Sequence, residues 1–209
     1  MQKLEVLGGK KLRGQVDISG SKNASLPILA ATILSEEKIY LSNLPRVKDI
    51  ETMINLLKSI GSNIKINYDK KSLSIINNKK LKFFAPYHLV KTMRAGILVL
   101  GPMLARFNKA KVSLPGGCSI GTRPIDIHLN CLSKLGVDYK ISNGYVYASA
   151  SKGLIGAKIK FPKISVGATE NLIIAASMAK GTSILSNCAI EPEIKDLVNF
   201  LNKIGAKIK

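Results

Sequence analysis

Tryptophan is absent from the 209-residue chain, and aromatic residues together make up only 5 %, too few to stack a run of nucleic-acid bases. Acidic residues are scarce too, 13 against 32 Lys and Arg, for a formal net charge of +19. Such a balance raises nucleic acid as a partner, but the form of the excess argues otherwise. Arginine occurs only at positions 13, 46, 94, 106 and 123, and the lysines are scattered, often beside Asn and Ile, without a long block. They read as solvated faces, and an anionic small molecule fits the same charge, so no nucleic-acid partner is expected. The three cysteines, Cys118, Cys131 and Cys188, lack C-x-x-C spacing, which argues against a disulfide framework and against zinc. The two histidines, His88 and His128, are too few and too separated for a metal cluster, so they read as hydrogen-bonding residues and not as ligands. Apolar runs such as "AGILVLGPMLA" are too short to span a bilayer, and no signal pattern precedes the first strand-like segment. A cytoplasmic protein with no membrane partner is the expectation.

What the chain does contain is a plan used three times. "LLKSIGSNIKI" (56–66), "CLSKLGVDYKI" (131–141) and "FLNKIGAKIK" (200–209) each read as the end of an amphipathic helix, a glycine cap and an alternating strand. The glycines are Gly61, Gly136 and Gly205. So long a period means repeated supersecondary units, not a short-period solenoid. Upstream of each cap lies a strand–turn–helix pattern. Before that come three helices apolar nearly all round: "NASLPILAATILS", "PYHLVKTMRAGILVLGPMLARF" and "ATENLIIAASMAKG". These belong in the domain centre, with the polar-faced helices outside. Each unit therefore reads as strand, buried helix, strand, outer helix and hairpin. The return strands are "KSLSII" and, after the turn "SNGY", "YVYASA". Unit three has no return strand before Lys209, which reads as a chain cut short. The opening "KLEVLGGKKLRGQVDISGSKN" predicts a two-stranded hairpin with a glycine turn and has no counterpart in the repeats.

Four spots carry cations suited to anion chemistry. Lys22 and Asn23 sit at the mouth of a helix, where backbone N–H groups favour anions. Arg94 lies in an otherwise apolar helix and calls for an anionic partner or an escape to the surface. Lys163, Ser165 and Gly167 lie just before a third buried helix, again an N-terminus suited to phosphate. In "PGGCSIGTRPIDIH", Cys118 stands on a glycine loop with Arg123 five residues on, which can lower a thiol pKa. Each has a plainer alternative: Asn23 and Ser165 suit N-caps, and Arg94 suits a structural ion pair. Cys131 and Cys188 read as packing residues with free thiols.

The segments "GSKNASLPIL", "APYHLVKTMRA", "SLPGGCSIGTRPIDIHL", "ISVGAT" and "AIEPEIKDLVNFL" resemble the UDP-N-acetylglucosamine 1-carboxyvinyltransferases, of the enolpyruvyl transferase family. The resemblance runs from Lys3 to Lys209 and implies an α/β fold, an inside-out α/β barrel domain of three βαβαββ-type units with the third incomplete. It implies transfer of the enolpyruvyl group of phosphoenolpyruvate to the 3′-hydroxyl of UDP-N-acetylglucosamine, releasing phosphate, the first committed step of peptidoglycan synthesis, with no metal and no organic cofactor expected. By resemblance, Cys118 matches the proton donor, the thiol that fosfomycin alkylates. Lys22 and Asn23 match the phosphoenolpyruvate site, and Lys22 and Arg123 join Cys118 as catalytic candidates. Arg94 matches a UDP-sugar contact. Arg123, Pro124, Ile125, Asp126 and Ile127 match the segment that holds the nucleotide sugar, and Lys163, Ser165 and Val166 the part beside the diphosphate.

Residues 1–20 match strands that in the family belong to a second domain; 21–209 match the first. The second domain, with its aspartate base and a further arginine, is a missing partner, so the chain is expected to hold half a site and to be inactive alone. The sister family, 3-phosphoshikimate 1-carboxyvinyltransferase, shares fold and chemistry but lacks this cysteine loop. A non-catalytic UDP-sugar-binding or regulatory single domain is the alternative from another class.

Overall fold

A computed structural model describes residues 3–116 and 125–209 of the chain. Its first unit opens with helix α1 (Lys22–Ala31), started by Ser21, whose hydroxyl accepts from the Ala24 N–H at 3.3 Å. A 3₁₀ turn (Thr32–Leu34), strand β1 (Ile39–Leu41), helix α2 (Lys48–Ile60) and the hairpin β2 (Asn63–Asn67) and β3 (Ser72–Ile76) follow. The second unit has β4 (Phe84–Ala85), α3 (Tyr87–Val90), a 3₁₀ segment (Arg94–Val99), α4 (Leu100–Phe107) and β5 (Lys109–Ser113). It continues with α5 (Asp126–Ser133) and the hairpin β6 (Asp138–Ser142) and β7 (Tyr145–Ser149). The third has β8 (Lys158–Lys160), α6 (Val166–Ala176), β9 (Ile184–Ser186) and α7 (Pro192–Lys203).

The strands form three small sheets, ordered β1-β3-β2, β4-β5-β7-β6 and β8-β9. β4 and β8 lie parallel to β5 and β9, and a parallel pair needs a crossover. The buried helices supply it. α1, α4 and α6 bury most of their residues; α6 packs against α1 and α4, and all three against the Arg94–Val99 segment, as their all-round apolar sequences require. α2 and α7 bury one stripe each. Ile173 and Ile174 of α6, Ala31 of α1, and Ile194, Leu197 and Leu201 of α7 close a satellite core.

The three repeat glycines all adopt left-handed backbone, φ 118° at Gly61, 88° at Gly136 and 110° at Gly205. At Gly61 the Ser62 N–H reaches back to the Leu57 carbonyl, and the Gly61 N–H to Lys58. At Gly205 the Ala206 and Gly205 N–H groups bond Leu201 and Asn202 in the same way. This is the double bond pattern that stops a helix and turns the chain.

Three expectations need correction. Residues 3–20 form no ladder among the described residues: Leu4, Val6, Leu7, Leu12, Val16 and Ile18 are all exposed. Two strands without a third or a packed face do not sustain a hairpin in water, so the first unit lacks the strand that would precede α1. The helix expected over 86–107 is three pieces, because Gly96 and Gly101 sit where Cβ atoms would strike Val90 and Asn171; the chain tightens there to let α6 close. Residues 206–209 have no strand partner; instead the Asn202 side chain accepts from the Ile208 N–H and donates to its carbonyl.

Candidate functional site

A cleft of about 790 Å³ opens where the starts of α1, α5, α6 and the Arg94–Val99 segment converge. Its wall includes Asn23, Arg94, Ile125, Asp126, Ile127, Lys163, Ser165 and Val166. Two helix N-termini, those of α1 and α6, therefore border one cavity, and the unpaired N–H groups of a first turn favour anions. Arg94 and Lys163 add cationic side chains, and Asp126, Glu170 and Glu193 acidic ones.

Local sequence explains each position. Ser21 takes the cap of α1, so Asn23 is not the cap and its side chain borders the cleft. Ser165 is a cap, accepting from the Ala168 N–H at 3.4 Å, and lines the cleft as well. Arg94 is exposed at the start of its 3₁₀ segment, not enclosed in an apolar helix as the sequence suggested. Lys22 is not on the wall: its Nζ donates to Asp49 Oδ2 of α2 at 2.9 Å. Cys118, Arg123 and Pro124 lie outside the described residues. Cys131 is buried and Cys188 half-buried; both thiols are free, and burial raises the pKa of each.

At the wall and just behind it lies a polar cluster that the sequence reading did not single out, with Glu170 on the lining itself. Thr169, Glu170 and Asn171 are consecutive and buried in α6, an apolar helix otherwise. Three polar residues in a row in such a helix is the signal that could have found them. The Thr169 hydroxyl accepts from the Ala189 N–H at 3.1 Å. Asn171 Oδ1 accepts from the Gly101 N–H at 2.6 Å, and its amide donates to the Ile97 carbonyl at 3.0 Å. The amide also lies 3.2 Å from His128 Nδ1. His128 is held to a pKa of about 4 by burial, which outweighs the raising effect of Asp126. Glu170 moves the other way, to about 8, pushed first by burial and then by Glu193 and Glu191. Among the described residues no group of His, Cys, Asp and Glu could hold a metal ion, and no helix is long and apolar enough to cross a membrane.

Comparison with known proteins now bears on this architecture. The chain is 75 % identical over its whole length to the UDP-N-acetylglucosamine 1-carboxyvinyltransferase of Pelagibacter ubique. It is 51 % identical over 208 residues to the enzyme of that name from Coxiella burnetii. It spans about half the length of these curated relatives, 50 % and 48 %. Among solved structures, the enolpyruvyl transferase NikO of Streptomyces tendae superposes with a TM-score of 0.82 at 20 % identity, covering 97 % of this chain and 47 % of that one. An EPSP synthase of Acinetobacter baumannii superposes with 0.65 at 14 % identity, covering 87 % and 42 %. The fold expected from the resemblance is thereby met. The profile of the EPSP synthase (3-phosphoshikimate 1-carboxyvinyltransferase) family matches residues 6–209, and the chain belongs to that family.

Proposed function

We propose that this chain carries one half of the active site of an enzyme that transfers the enolpyruvyl group of phosphoenolpyruvate to the 3′-hydroxyl of UDP-N-acetylglucosamine, releasing phosphate. The carrying observation is the cleft: two helix N-termini, Arg94 and Lys163 on one wall, in a chain 75 % identical to an enzyme of that name. The name supports the nucleotide sugar over shikimate 3-phosphate, as does the "PGGCSIGTRPIDIH" loop.

The chemistry assigns roles. A proton from the Cys118 thiol goes to the methylene carbon of phosphoenolpyruvate, and positive character develops at the adjacent carbon. The sugar 3′-oxygen bonds to that carbon as a base takes its proton. The carbon–oxygen bond to phosphate then breaks, and a proton leaves the new methyl group, restoring the double bond. Arg123 and Lys22 meet the anionic charge of phosphoenolpyruvate; a guanidinium grips such oxygens bidentately. Lys22 must leave Asp49 to do so, and an exposed ion pair worth about 0–1 kcal/mol releases it readily. Arg94, with the Arg123–Ile127 and Lys163–Val166 segments, holds the nucleotide sugar. Residues 1–20 pair with the other half of the enzyme, which supplies the base. Its place of work is the cytoplasm, with neither nucleic acid nor membrane as partner.

The test is phosphate release. The 209-residue chain alone should give none. Joined to the part of the Pelagibacter ubique enzyme that it does not match, it should release phosphate only with both substrates present. Release that depends on shikimate 3-phosphate and not on UDP-N-acetylglucosamine would overturn the reading.

A further inference from the structure

Glu170 is the one ionisable residue of α6. It is only 5 % exposed, yet it borders the cleft. Its neighbours Thr169 and Asn171 are each hydrogen-bonded, whereas Glu170 makes no hydrogen bond or ion pair among the described residues. Around it stand Glu191 and Glu193 at the start of α7, Asp126 and His128 of α5, Arg94, and Lys163 ahead of α6. Glu191 Oε2 is a buried oxygen with no hydrogen-bond partner among the described residues.

An ionised carboxylate so buried, unpaired and beside two others is costly to hold, and the proton stays on. Burial and the two glutamates accordingly move Glu170 from 4.5 to about 8. A protonated carboxyl is a hydrogen-bond donor, and this one meets the cleft with no acceptor taking its proton among the described residues. An anionic oxygen would be repelled there by Glu191 and Glu193, while Arg94 and Lys163 are the groups that take a ligand's charged portion. The acceptor that fits Glu170 is neutral.

We propose that Glu170 is a specificity residue of the cleft, whose protonated carboxyl donates a hydrogen bond to an uncharged oxygen of the nucleotide sugar, a sugar hydroxyl or a base carbonyl. The assignment rests on the functional reading above and adds to it the residue and the chemistry of the contact.

Calorimetric titration of the 209-residue chain with UDP-N-acetylglucosamine and with UDP tests it. Glu170→Leu should weaken binding about tenfold, the loss of one buried donor. Glu170→Gln keeps shape, neutrality and a donor, and should bind within about twofold of the parent. Between about pH 7 and about pH 9 the parent should lose affinity as the proton leaves, and Glu170→Gln should not. A Leu effect on UDP-N-acetylglucosamine alone puts the contact on the sugar; an effect on both ligands puts it on the uridine diphosphate portion; either supports the proposal. Unchanged binding by Glu170→Leu, or a Gln variant as weak as the Leu variant, overturns it and leaves the functional reading standing. A parent chain that binds neither ligand overturns the proposal for this cleft, and phosphate release by the joined enzyme then decides the functional reading. Cooperative unfolding of each variant serves as the control for folding.

Discussion

One amide holds the centre of the site's support. Asn171 Nδ2 has two hydrogens; the Ile97 carbonyl takes one, leaving the other for His128 Nδ1. His128 is then the neutral tautomer with its proton on Nε2, in keeping with burial holding it at about 4. Asn171→Ala would strand the Gly101 N–H, the Ile97 carbonyl and His128 together. Urea unfolding should show a loss of about 3 kcal/mol. The pH dependence follows from two opposed groups. His128 has a folded pKa below its unfolded 6.5, so its contribution is present above 6.5 and lost as pH falls toward about 4. Glu170 has a folded pKa above 4.5, so its contribution is present below 4.5 and lost as pH rises through about 8. The two nearly cancel between 4.5 and 6.5, and Glu170 alone lowers stability from 6.5 to 8. Thermal unfolding should therefore decline over that upper window in the parent and stay level in Glu170→Gln. A decline that persists in Glu170→Gln would mean that another group carries it. The cationic candidates were legible in the sequence because a charge beside a glycine or a cap stands out. Thr169, Glu170 and Asn171 were not, because hydrophobic periodicity averages them into an apolar helix.

At the scale of elements, what sequence could read was what neighbours in the chain determine. The helix caps at Gly61, Gly136 and Gly205 and the Asn143–Gly144 hairpin turn, with φ 51° and 74°, depend on local backbone chemistry. The break between Arg94 and Leu100 depends on α6, which arrives seventy residues later, and no local pattern announces it. Gly101 marks that meeting: a Cβ there would lie 2.3 Å from Asn171 Oδ1 and 2.4 Å from its backbone oxygen. Gly144 has open space around it, so a side chain there meets only conformational strain. Two substitutions separate the effects. Gly144→Ala should cost about 1 kcal/mol, the backbone penalty alone. Gly101→Ala should cost about 3 kcal/mol or more, because a helix backbone cannot step aside. Equal losses in denaturant titrations would mean that α4 and α6 separate freely, against the packing described.

At the scale of the molecule, the threefold plan was legible because each unit repeats the same local signals; that the strands expected over 3–20 and 206–209 do not form was not, because a strand exists only with its neighbour. Residues 3–19 have strand-like alternation in Leu4 and Val6 and again in Val16 and Ile18, and a left-handed Gly9 between them at φ 91°. Those side chains are 76–93 % exposed, and among the described residues nothing pairs with the backbone in a ladder. So much apolar surface on one segment marks an interaction site, and the proposed occupant is the half of the enzyme that this chain does not match. Removing residues 1–19 should then have two separable effects. The unfolding free energy of the isolated domain should change by less than about 0.5 kcal/mol, since the segment contributes nothing to either core. Reconstitution of phosphate release by mixing with the unmatched half of the Pelagibacter ubique enzyme should fail, whereas the full 209-residue chain should support it. A truncated chain that reconstitutes as well as the full one would show that the segment plays no part in joining the halves; a truncated chain that no longer unfolds cooperatively would show that it belongs to this domain.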